Sequence, residues 1–273
     1  MRVKPSFIVF AGLAAISAAP RAAAADGCLV PEETRKVRLA GLDRHGDLVL
    51  DDGTVIRLAG LAPRQDETER ERLSAALRPW LGQDFELAGL GSTDRWGRLP
   101  VRLLVPSEPA RETAGRDLTA LLLAAGAALR LPEAGLDGCN ELWRAAEAGH
   151  IAKTASDRAV SATPATNLGS AGLPVIDGHD PAAMKAQAGR IVLVEGRIAA
   201  VGERAQRTYL NFTRRRGAGG SIVLSRTLWQ ELQRAGWTAS ALTGKRVRVR
   251  GVIEGRDGLL IAVETRAALE MVD

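Results

Sequence analysis

Histidine and cysteine are scarce in this chain, and their placing excludes more than it suggests. Only 3 histidines occur in 273 residues. His45, His150 and His179 share no ligand spacing, so neither a zinc nor a heme site is implied. The 2 cysteines, Cys28 and Cys139, lie too far apart in sequence to read as a metal or catalytic motif. Beyond the first 25 residues no apolar run approaches the roughly 18 that a membrane helix needs. A true excess of one charge is also missing. The formal charge is +5, but Arg2, Lys4 and Arg21 stand in a leading stretch without acids, and setting it aside leaves 34 cations against 32 acids. The chain-wide charge therefore does not argue for a polyanion partner; that argument must rest on local clusters. A hydrophobic share of 46% against 25% charged excludes disorder of the whole.

What is present begins with export. Met1 to Ala25 has the positive start, the short apolar stretch (Phe7 to Ala18) and the small residues of a cleavable secretory signal. The expected location is periplasmic or secreted, with no transmembrane span in the mature chain. In an oxidising compartment Cys28 and Cys139 read as a disulfide; two free buried thiols, or a lipidated Cys28, are the other readings. At this length about two domains are expected.

The stretch that organises the chain is Leu48 to Pro63, LVLDDGTVIRLAGLAP. β-Branched and apolar residues flank Asp52-Gly53, a pair suited to a tight hairpin turn. Arg57 stands between Ile56 and Leu58, so it faces away from their layer. Further strands are expected over 34–42, 83–90 and 98–105, and helices over 66–81, 117–128 and 140–153. Together they predict a β-barrel with packed helices. Residues 154–188 lose all periodicity and predict a flexible linker. From Gly189 to Asp273, five strand-like runs with a helix (225–235) between the third and fourth give the order of a second, small OB-like barrel. The fold class is thus mainly β with helices (α+β): signal 1–25, first domain 28–153, linker 154–188, second domain 189–273.

On these residues the first domain resembles the staphylococcal-nuclease-like (thermonuclease) domains. The resemblance runs from Val37 to His150 and rests on Gly46-Asp47, on Ile56-Arg57-Leu58-Ala59-Gly60-Leu61 leading to Pro63, on Asp94-Arg95-Trp96-Gly97-Arg98 and on the helix from Cys139 to Glu147. It implies an OB-type barrel. It also implies a calcium ion held by two aspartates, a glutamate that activates water, and two arginines on the phosphate. Asp47 matches the first aspartate, and Arg57 and Arg98 match the arginines. Where the family pattern reads Arg-Leu-Ala-Gly-Ile-Asp-Ala-Pro-Glu, this chain reads Arg57-Leu58-Ala59-Gly60-Leu61-Ala62-Pro63-Arg64. The second aspartate is missing, and an arginine, which cannot act as a base, stands at the glutamate position. Asp66 and Glu67 are nearby carboxylates, although acids also belong at a helix start. Asp47 also reads as a turn cap, Arg57 and Arg98 as partners of Asp94 or Glu86, and Trp96 as a cover for the barrel end.

The second domain carries alternating Arg246, Arg248 and Arg250, with Val247 and Val249 turned to the core. It also has Arg214, Arg215 and Arg216 after Tyr209 and Phe212. Cations beside rings are how OB barrels hold single strands, and a solvated basic face is the plain alternative. The resulting expectation is an exported, catalytically impaired nuclease-like protein, needing no cofactor, that binds nucleic acid, another polyanion or an envelope protein. The alternatives are a calcium-dependent nuclease with a rearranged metal site and a structural interaction module.

Overall fold

A computed structural model describes residues 28–29, 33–106, 117–159, 173–215 and 217–272 of the chain. The first barrel is built from β1 (Arg35–Leu42), β2 (Leu48–Leu50), β3 (Val55–Leu58), β4 (Asp84–Gly89) and β5 (Leu99–Leu104). Alternate side chains of these strands, among them Leu39, Leu50, Ile56, Phe85 and Leu103, are fully buried and form one core. Gly53, with φ of 81°, turns the chain between β2 and β3, and Asp52 accepts from the Thr54 amide at 2.8 Å. The strands close in the order β1-β2-β3-β5-β4, antiparallel except for β3 against β5. That order, with one parallel pair, is an OB-type barrel.

Helix α1 (Glu67–Leu77) follows β3 and buries Leu73 and Leu77. Asp66 caps it through the Glu69 amide, and the Glu69 carboxylate accepts from the Gln65 amide in return. Helix α2 (Leu118–Ala124) starts at Asp117, whose carboxylate accepts from the Ala120 amide. It ends earlier than its apolar run suggests, because the chain turns at Gly126 with φ of 66°. Helix α3 (Asp137–Ala159) lays Trp143 on the barrel. Gly60 has φ of 83°, and a Cβ there would stand 2.4 Å from the Trp143 ring. Cys28 and Cys139 are bonded, which ties the start of the described chain to the first turn of α3.

The second barrel comprises β6 (Val175–Asp177), α4 (Pro181–Lys185), β7 (Ile191–Arg197), β8 (Ala200–Glu203), β9 (Arg207–Asn211), β10 (Ser221–Ser225), α5 (Arg226–Arg234), α6 (Ala239–Leu242), β11 (Arg246–Glu254), β12 (Leu260–Val263) and β13 (Leu269–Met271). From β8 the sheet runs β8-β9-β10-β12-β11-β7, with β10 parallel to β12. β7 and β8 are two halves of one strand broken at Ile198-Ala199, so the order matches the first barrel. The expected run over 190–201 is therefore two strands. β6 adds to the edge of β7, and β13 pairs with β11; neither was legible in the sequence.

The segment expected as a linker is not featureless. Helix α3 extends to Ala159, and β6 and α4 belong to the second sheet; residues 160–172 lie outside the described part, as do 1–25. The barrels also share buried contacts. Ala62, Leu173, Ile191 and Leu193 form an apolar cluster across the junction, and the Ile191 amide donates to Gln65 Oε1 at 2.9 Å. Among the described residues no helix is long and apolar enough to cross a membrane.

Candidate functional site

The residues matched to nuclease positions meet at one mouth of the first barrel. Arg57 is placed by β3. Arg98 ends a turn in which the Asp94 carboxylate accepts from the Trp96 and Arg98 amides, at 2.9 and 3.0 Å, and Gly97 takes φ of 78°. Because β3 and β5 are parallel and Arg57 pairs with Pro100, Arg57 and Arg98 share a face two residues apart. Asp47 follows the turn whose backbone is held by Asp43, which accepts from the His45 and Asp47 amides.

Each of these groups is already engaged. The Arg57 guanidinium donates to both Glu133 oxygens, at 3.0 and 2.9 Å, and this bidentate pairing raises its pKa further. Glu133 is fixed in turn by Asn140, which accepts from its amide and donates to its carbonyl. Arg98 donates to Asp94 Oδ2 at 3.0 Å and to Asp47 Oδ1 at 3.3 Å. Arg64 donates to the same Asp47 oxygen at 3.0 Å. Burial would raise the Asp94 pKa, but the Arg98 amide and guanidinium and the Trp96 amide together hold it below the ordinary value. Asp94, a partner expected from the sequence, pairs with Arg98, whereas Arg57 pairs with Glu133, 76 residues away, which no local pattern marks.

A calcium ion, as the nuclease resemblance implies, does not fit this donor set. Calcium takes six to eight oxygen ligands. Here one Asp47 oxygen faces two guanidinium groups, and a cation beside it would meet both positive charges. Asp66 and Glu67 do not stand in for the absent ligand: Asp66 caps α1, and Glu67 pairs with Arg70. Trp96 does not cover the barrel end as expected. It is 63% exposed, and Arg95 and Arg98 stack their guanidinium carbons 3.9 and 4.9 Å from its ring centre.

The arginines of the β11 stripe each face a carboxylate. Val247 and Val249 do enter the core. Arg246 and Arg248, however, both pair with Glu195, at 2.6 and 2.7 Å, and Arg248 also reaches Glu270. Arg250 is buried at the junction: it donates to both Glu147 oxygens, at 2.9 and 2.6 Å, and to the Arg130 carbonyl at 2.7 Å. A group so placed cannot meet a polyanion. A cleft of about 910 Å³ opens beside this node, lined by five arginines and five acids, so it has no net charge to concentrate anions. Arg214 and Arg215 are exposed, and Arg216 lies outside the described residues. Phe212 is buried and is no stacking surface; Tyr209 is half-exposed.

The chain matches no known protein family model, and no curated protein is similar to it.

Proposed function

We propose that this is an exported, thermonuclease-like protein in which the hydrolytic site has become a lattice of arginine–carboxylate pairs, and that it binds nucleic acid or a related polyanion without cleaving it. The observation that carries the reading is Arg64 on Asp47. A guanidinium stands where the family pattern has its carboxylate base, and it engages the candidate cation ligand directly. The fixed positive charge does what a bound metal would do for Asp47 electrostatically, but it offers no coordination position and no activated water. What the mouth presents to solvent is Trp96 with the Arg95 and Arg98 guanidiniums over its ring, a mixed cationic and aromatic patch that suits the phosphates of a nucleic acid. The disulfide fits an oxidising compartment, as export requires.

The test is incubation of the mature protein with single- and double-stranded DNA and RNA, with calcium or with chelator, scoring cleavage and retention together. Retention without cleavage, weakened by Trp96→Leu and by salt, is the expected result. Calcium-dependent cleavage by the wild-type protein would overturn the reading. Retention of neither nucleic acid nor polyphosphate would leave a protein partner in the envelope as the better account.

A further inference from the structure

The outer face of the second barrel has a composition that neither its core nor its junction explains. Along β9 the burial alternates: Thr208 and Leu210 face inward, while Arg207, Tyr209 and Asn211 face out. Strand register places Gly202 of β8, Val223 of β10 and Ala262 of β12 in one row with Tyr209. The next row holds Ala200, Asn211, Ser221 and Leu260. One aromatic ring thus lies among small or short side chains. A Cβ on Gly202 would have only Asn211 Nδ2 within 4 Å, at 3.7 Å, so the strip beside the ring is open. Asn211 and Ser221 form a polar edge, with Ser221 Oγ donating to Asn211 Oδ1 at 2.8 Å.

Cations flank this face at both ends of β9, and they differ in kind from those of the β11 stripe. Arg207 lies two residues before Tyr209, about 7 Å along the strand. Arg214 and Arg215 follow in the loop after Phe212. All three are exposed and have no carboxylate partner among the described residues, whereas Arg246, Arg248 and Arg250 each have one. Glu203, Glu254 and Glu264 are the acids around the face: register sets the exposed Glu254 of β11 beside Leu260, at the end of that row farthest from β9, and Glu203 already accepts from the Trp229 indole at 3.0 Å.

We propose that the outer β8–β9–β10–β12 face is a binding site for single-stranded nucleic acid, with a base stacked on Tyr209, Asn211 and Ser221 at its polar edge, and phosphates on Arg207 and on Arg214 and Arg215. A half-exposed ring with exposed cations before it on β9 and after it in the next loop matches a flexible chain of alternating bases and phosphates. A duplex hides its base faces and fits such a sheet less well. This site adds a surface to the function proposed above and does not need the first-barrel mouth to bind.

Fluorescence anisotropy of a labelled oligodeoxythymidylate of about 15 nucleotides, within the span one OB barrel covers, tests this on the full mature protein, with inorganic polyphosphate as a ligand that has charge but no bases. Tyr209→Leu should weaken oligonucleotide binding about tenfold, the scale of one lost stacking contact, and leave polyphosphate binding unchanged. Tyr209→Phe should keep the affinity. Arg207→Gln and Arg214→Gln should each lower the salt slope by about 0.7. Circular dichroism melts of each variant report that the barrel is intact. Equal binding by wild type and Tyr209→Leu, equal losses for both ligands, or no oligonucleotide binding at all would overturn the proposal. A loss confined to Trp96→Leu would do so too while sparing the first-barrel reading. A loss confined to Tyr209→Leu would support this face and remove that reading.

Discussion

The node formed by Glu147, Arg250 and Arg130 makes a sharp energetic prediction. Glu147, on α3, is buried and faces two buried guanidiniums from different barrels: Arg250 bidentate, and Arg130 with Nε 3.6 Å away. Its Oε1 also accepts from the Arg130 amide at 2.9 Å. Glu147→Gln preserves the shape but removes what is, among the described residues, the only negative charge in direct contact with both cations. The Gln amide nitrogen must then face a guanidinium. Breaking a buried pair in this way costs about 3–5 kcal/mol, a large part of the 5–15 kcal/mol that holds a typical domain.

Arg130 behaves in the opposite sense. Burial first, and then the repulsion of Arg250, push its pKa down to about 10, while Glu147 only partly offsets them. Arg130 Nε and Nη1 have no hydrogen-bond acceptor. Against the ordinary value of 12.5, keeping the group charged below pH 10 is unfavourable by about 3 kcal/mol. Arg130→Met removes that burden and leaves the Arg250–Glu147 pair in place, so stability should change by less than about 1 kcal/mol or rise. Urea unfolding followed by tryptophan fluorescence, with calorimetry alongside, distinguishes the two. Wild type and Arg130→Met should melt in one transition, and Glu147→Gln should melt earlier, with the barrels separating into two. Equal effects of the two substitutions, or a Glu147→Gln effect under about 1 kcal/mol, would refute the reasoning.

Three further outcomes follow from particular contacts. Replacing Cys28 and Cys139 by serine opens a closure of 111 residues and should lower the unfolding free energy by about 4–5 kcal/mol, read from the urea midpoint. Gly60→Ala combines a left-handed φ with a Cβ 2.4 Å from Trp143 and should destabilise by more than about 3 kcal/mol, whereas Gly53→Ala, strained but open, should cost only about 1 kcal/mol. Asp94 has its folded pKa below the ordinary carboxylate value. Its contribution is therefore complete above that value and disappears as pH falls through the folded one, so the Trp96 indole NMR signal should still report the closed turn at the ordinary carboxylate pKa of 3.8 and move to that of an open loop only at lower pH, and Asp94→Asn should show it open at neutral pH.

Much of the architecture was legible because it depends on local rules. Asp52-Gly53 marks a hairpin, period-two burial marks its strands, and a helix between the third and fourth runs marks the OB order; all three hold in the structure. The compartment argument likewise paired Cys28 with Cys139 correctly. Charge partners were not legible. Alternation placed Arg250 on the face opposite Val249, but nothing in the local pattern says that α3, 103 residues away, covers that face. The same holds for Glu133 and Arg57, and for Glu195 beneath Arg246 and Arg248. A regular arginine stripe looks like a polyanion surface, yet such regularity also arises when the opposite strand carries an acid, as β7 does with Glu195. Arg64 could be recognised as a change of sign. Its contact with Asp47 needed the fold.

The distinction between paired and unpaired arginines therefore decides where binding energy can come from. For Arg57 to grip a phosphate it must release Glu133, which is three-quarters buried and would lose both of its charged hydrogen bonds. The incoming phosphate then replaces one good acceptor with another and leaves a desolvated carboxylate behind. The net gain is small even though the bare attraction is large. Arg57→Ala should consequently be felt in stability, by about 2 kcal/mol, while nucleic-acid retention changes less than twofold. If retention instead falls tenfold with stability unchanged, Arg57 exchanges Glu133 for ligand at little cost, and the first-barrel mouth is an open phosphate site rather than a closed lattice.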